Sequence, residues 1–129
     1  MGDVVLIADD EADIVRFVEI NLRLEGYEVV AAHDGADALA KALDLQPSLV
    51  LLDAMMPCMD GYEVCSRLRA DWRGARIPVI MLTARSLEAD RVRARLVGAD
   101  DCVTKPFDPR DLVARVRSVL EAGARDARG

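Results

Sequence analysis

The chain has 129 residues, 52% hydrophobic and 31% charged, with a net charge of −6; this suits one folded domain with its own core and excludes a disordered segment. The negative balance argues against a broad nucleic-acid footprint and suits a divalent cation. No apolar run is long enough for a membrane span or secretory signal, Leu6 stands where a myristoylation signal needs Ser or Thr, and Cys58, Cys65 and Cys102 form neither a CxxC pair nor a complete disulfide set, so a reducing, cytoplasmic setting without membrane contact is expected.

Strands are predicted near 3–8, 27–32, 48–52, 77–82 and 101–104, and helices near 11–25, 35–45, 61–72, 86–97 and 109–122. The first apolar run leads into Asp9 and Asp10, and the helix after it stops at Gly26. The second leads to His33, read as a solvated loop residue, and then to Asp34-Gly35-Ala36-Asp37, an acid at the helix cap with another three residues on. The third, unbroken from Leu49 to Leu52, runs into Asp53; Asp60-Gly61-Tyr62-Glu63 then repeats the capping pattern. Its helix is expected to bury Val64, Cys65, Leu68 and Trp72 along one stripe. The fourth run ends on Thr83, with a helix stop at Gly98, and the fifth on Thr104-Lys105-Pro106. Asp108-Pro109 opens the last helix, whose stripe is Leu112, Val113, Val116, Val119 and Leu120. A domain over 1–122 is expected, with 123–129 as a flexible tail or the start of a linker.

Five alternations of strand and helix are the pattern of an α/β fold with a parallel sheet covered on both faces. Continuous apolar runs fit strands buried from above and below. In such a sheet the carboxyl ends of the strands share one edge, where ligands bind. Asp9, Asp10, Asp53, Thr83 and Lys105 would then meet there. Each alone has a plainer reading: a helix cap for Asp9, a turn residue for Asp53 or Thr83, a surface lysine for Lys105. Together, three clustered carboxylates repel, and Mg²⁺ with its oxygen-only ligands relieves that. A carboxylate at a strand mouth is placed as a nucleophile toward phosphorus, and phosphoryl transfer needs chiefly positioning and positive charge.

These residues resemble the receiver domains of two-component response regulators. The resemblance rests on the Asp9-Asp10 pair, Asp53 followed by Met56-Pro57-Cys58-Met59-Asp60-Gly61, Thr83-Ala84, Gly98-Ala99-Asp100-Asp101 and Lys105-Pro106-Phe107, in order over nearly the whole chain. It implies a CheY-like, flavodoxin-like five-stranded parallel sheet in the order 2-1-3-4-5. It also implies Asp53 as phosphoacceptor, Mg²⁺ on Asp10, Asp53 and the carbonyl of Met55 with Asp9 acting through water, Thr83 and Lys105 on the phosphoryl oxygens, and a cis Lys105-Pro106 bond. The donor would be a phosphohistidine on a sensor histidine kinase or phosphotransfer protein, and no external substrate is expected. A homodimer through the fourth and fifth helices is implied, with Arg91, Arg93, Arg95, Arg110, Arg115 and Arg117 read either as docking groups or as a solvated face.

Two features stand apart. Cys102 occupies a position where such domains commonly carry Tyr or Phe, which puts coupling by a swinging ring in doubt. Met55 and Arg85 flank the approach of a hydrolytic water without orienting one, so slow loss of the phosphate is expected. Two other readings compete: a phosphorylation-independent binding module, and an Mg²⁺-dependent aspartyl phosphohydrolase. The second is disfavoured because Glu11-Ala12, not an Asp-x-Asp pattern, follows the first strand's acids.

Overall fold

The computed structural model describes residues 2–84 and 88–128, the last five by backbone alone. Elements alternate as β1 (Val4–Ala8), α1 (Ala12–Leu24), β2 (Glu28–Ala32), α2 (Gly35–Leu45), β3 (Leu49–Asp53), α3 (Gly61–Ala70), β4 (Val79–Thr83), α4 (Glu88–Leu96), β5 (Asp101–Thr104) and α5 (Pro109–Arg128). All pairings are parallel, in the order β2-β1-β3-β4-β5. The expected α/β architecture is therefore the observed one.

The two-residue period of the strands divides the core into two layers. Leu6, Val50, Leu52, Val79 and Met81 pack with α2, α3 and α4 through Ala38, Ala42, Val64, Cys65, Leu68 and Ala94. Val5, Ile7, Leu49, Leu51, Ile80 and Leu82 pack on the other face with α1 and α5 through Val15, Val18, Leu22, Leu112 and Val116. Every residue of β3 and β4 is buried, as central strands covered on both sides must be.

Helix ends follow the predicted chemistry. Asp34 and Asp60 accept hydrogen bonds from the Asp37 and Glu63 amides, at 2.7 and 2.9 Å. At Gly26 the backbone turns to φ +92°, and Tyr27 N–H reaches back to Leu22 O at 3.1 Å, closing α1. The Lys105-Pro106 bond is cis.

Several boundaries differ from expectation. The ladder continues one residue further in β3 and β4, since Asp53 registers with Leu82 and Thr83 with Thr104. α3 stops at Ala70, because the Asp71 backbone turns extended and its carboxylate accepts from Arg73 N–H. Trp72 thus leaves the buried stripe and is 84% exposed, whereas Val64, Cys65 and Leu68 are fully buried. The backbone of α5 continues past 122 to Arg128, since the Ala and Arg there favour helix and one Gly inside it costs only about 1 kcal/mol.

Gly61 is the tightest junction between fold and site. A Cβ there would overlap the carbonyl oxygen of Asp53 and stand 3.0 Å from Met81 Sδ. Gly61→Ala is expected to lower unfolding free energy by roughly 1–3 kcal/mol, the range of core overpacking, as read by urea denaturation.

Candidate functional site

Parallel pairing delivers the ends of β1, β3, β4 and β5 to one rim, and with them the groups the apolar runs led into. Asp9 is wholly buried. Its Oδ1 accepts from Glu11 N–H at 2.9 Å, and its Oδ2 accepts from the Lys105 ammonium at 2.8 Å. Asp53 is 4% exposed; its Oδ1 accepts from Met55 N–H at 3.1 Å and lies 3.4 Å from Lys105 Nζ. Asp10 stands exposed beside them, and the three carboxylates each offer an oxygen within 4.8 Å of one another. Thr83, 3% exposed, ends β4 next to Lys105, whose N–H donates to Thr83 O at 2.7 Å. The Met55 side chain is 72% exposed at the mouth.

Among the described residues the Lys105 ammonium faces the clustered carboxylates of Asp9, Asp10 and Asp53, with Glu11 at its edge. Burial pushes the Asp53 carboxyl up from 3.8 to about 6; the Met55 amide opposes this, the Asp9 charge adds to it, and Lys105 offsets part of it. Burial alone would lower Lys105, but its hydrogen bond to Asp9 and the charges of Asp9 and Asp53 outweigh that and hold its ammonium above the ordinary value. Oxygen donors alone, with excess negative charge, make a pocket suited to a hard divalent cation.

The structure thus brings Asp9, Asp10, Asp53 and Lys105 together, seats Thr83 beside Lys105 along the backbone, and puts Met55 against Asp53 through its amide. Arg85 lies outside the described residues. One feature escaped the sequence reading: Lys105 makes its shorter contact with Asp9, not Asp53, because a fully buried carboxylate needs a charged partner most. Glu11 was also missed; its carboxylate comes within 3.8 Å of Lys105 Nζ. The adjacency of Glu11 to the acid pair was its only signal. His33 is exposed, as expected.

The model for the response regulator receiver domain matches residues 5–117. The chain belongs to that family. Over 116 residues it is 49% identical to the DNA-binding dual master transcriptional regulator RpaA of Synechocystis, covering 90% of this chain and 48% of RpaA. Over 120 residues it is 45% identical to the alkaline phosphatase synthesis regulator PhoP of Bacillus subtilis, covering 93% of this chain and 49% of PhoP. The chain spans about half the length of these curated relatives. Among solved structures, a CheY-like receiver domain protein from Methanospirillum hungatei superposes with a TM-score of 0.91 at 28% identity, over 98% of this chain and 99% of that one. The receiver domain of the sensor histidine kinase PA1611 from Pseudomonas aeruginosa gives 0.87 at 30% identity, over 94% and 99%, and holds a magnesium ion in its active site cleft. No described helix of this receiver domain is long and apolar enough to cross a membrane.

A carboxyl whose pKa is higher folded than unfolded makes its ionisation destabilising. For Asp53 the penalty is absent below about pH 3.8, grows between there and about 6, and is complete above; it amounts to about 3 kcal/mol. Asp53→Asn should therefore raise stability by about 1–3 kcal/mol near neutral pH without divalent cation, and by little near pH 4. Denaturant unfolding at the two pH values checks this.

Proposed function

We propose that this receiver domain is a phosphorylation-activated switch in which Asp53 accepts a phosphoryl group from a phosphohistidine on a sensor histidine kinase or phosphotransfer protein. The supporting observation is the Asp53 carboxylate, nearly enclosed at the end of β3, with the Lys105 ammonium at 3.4 Å and two further carboxylates within 4.8 Å. A carboxylate oxygen attacks phosphorus, the phosphorus–nitrogen bond breaks, and its electron pair leaves with the imidazole. Asp10, Asp53 and the Met55 carbonyl would hold Mg²⁺, with Asp9 acting through water, and the bound ion supplies positive charge to the phosphoryl oxygens.

Thr83 and Lys105 then act as the phosphate-sensing pair. Charged hydrogen bonds contribute roughly 1.5–3 kcal/mol each, so two approach the ~5.5 kcal/mol that moves a two-state equilibrium from one extreme to the other. Lys105 is already engaged by Asp9 before any phosphate arrives, which lowers its own share of the difference. The readout is a change of partner or dimer affinity at α4 and α5, in a cytoplasmic regulator. On that face Arg115 pairs with Asp101 and Asp111, Arg95 with Glu88, and Arg117 with Glu25 of α1. By analogy with RpaA, a regulator carrying this domain would govern transcription, while the acidic domain itself makes no direct contact with nucleic acid.

Acetyl phosphate with Mg²⁺ is expected to label the wild-type chain and leave Asp53→Asn unlabelled; full labelling of that variant would show another acceptor. Thr83→Ala should be labelled while its change in partner or dimer affinity falls roughly tenfold or more, the loss of one charged hydrogen bond, as read by analytical ultracentrifugation. Without added phosphatase the label should persist for minutes, followed by phosphate-affinity electrophoresis.

A further inference from the structure

The helix α4 is held unequally at its two ends. Its C-terminal end is pinned: Arg69 Nε and Nη2 donate to Gly98 O at 3.0 and 2.8 Å, and the Cys65 thiol donates to Val97 O at 3.3 Å. Arg69 is itself fixed, since Nη1 donates to Gly74 O and Ile77 O. Arg93, in the last turn of α4, adds a hold of a different kind. The Arg93 guanidinium lies 4.1 Å over the ring of Tyr62 and 3.9 Å from Asp60 Oδ2. Asp90, in the first turn, keeps Oδ2 buried with no hydrogen-bond partner among the described residues, an unsettled state for a carboxylate. Ala94 is the one residue of α4 that is buried. Little apolar packing of its own therefore holds α4 in place.

Tyr62 connects α4 to the proposed phosphoacceptor. It is 4% exposed and follows Gly61, whose backbone is pressed against the Asp53 carbonyl and donates to Ala54 O at 3.2 Å. Movement of the loop after Asp53 therefore carries Gly61 and Tyr62 with it. Burial raises the Tyr62 hydroxyl, with further contributions from Asp90 and Cys102 that Arg93 partly opposes, so the side chain senses both α4 and β5. Cys102 supplies no ring from β5, and Tyr62 is the enclosed aromatic ring at this junction.

We propose that Tyr62 and Arg93 form the clasp that passes the state of Asp53 to α4. Both are positioning residues: neither touches the phosphoacceptor carboxylate. The inference rests on the switch reading above and adds the route of its output.

The test is amide NMR of the full chain, with Mg²⁺ and beryllofluoride as the phosphoryl stand-in. In the wild type, amides around Asp53 and along Glu88–Leu96 should both shift on beryllofluoride. Arg93→Gln, a change at an exposed side chain, and Tyr62→Leu should keep the shifts around Asp53 and lose most of those along α4. Tyr62→Phe, which keeps the ring, and Arg93→Lys, which keeps the cation, should restore them. An Arg93→Gln variant whose α4 amides still follow beryllofluoride as in the wild type would overturn the clasp and leave the switch standing. A wild type showing no shift around Asp53 would overturn both.

Discussion

One ammonium stands among the carboxylates at the mouth of the sheet, and the properties of the site follow from that imbalance. Lys105 donates to the buried Asp9 at 2.8 Å and reaches Asp53 at 3.4 Å, which is enough to seat both acids but not to neutralise them along with Asp10. The residual negative charge and the burial of Asp53 push its carboxyl up to about 6. A divalent cation would relieve the first effect, and the proposed phosphorylation would build on the geometry of the second. The same lysine is tied through its backbone to Thr83 O, so the cation and the hydroxyl that would read the phosphate are set by one strand pairing.

The sheet is what makes this imbalance affordable. β3 and β4 are buried along their whole length, and the apolar layers on either face hold the strand ends in register. Gly61 brings α3 against the Asp53 carbonyl where no side chain would fit, so Asp53 and the first turn of α3 form one rigid joint. Rigidity at that joint and weak packing at α4 divide the domain into a part that holds the charges and a part free to respond.

Much of this was legible in the chain. Each site residue closes an apolar run, and the alternation of runs with helical patterns places all those ends on one edge. Asp34, Asp60, Gly26 and Gly98 marked helix ends because capping acids and left-handed glycines are local chemistry. What escaped depended on side-chain direction across elements distant in sequence. Nothing adjacent to Lys105 told that it would favour Asp9, 96 residues away. Helical periodicity put Trp72 on a buried stripe, but the Asp71–Arg73 turn ended the helix first. Arg93 belonged to a run of helix arginines, and only the packing of α4 on α3 shows it over Tyr62.

The most direct measurement is a carboxyl-carbon NMR titration of Asp53 with and without saturating Mg²⁺. Without the ion, Asp53 should titrate near 6; with it, protonation should retreat well below the ordinary carboxylate range. An Asp53 that titrates at its ordinary value and ignores the ion would contradict a site built on uncompensated charge.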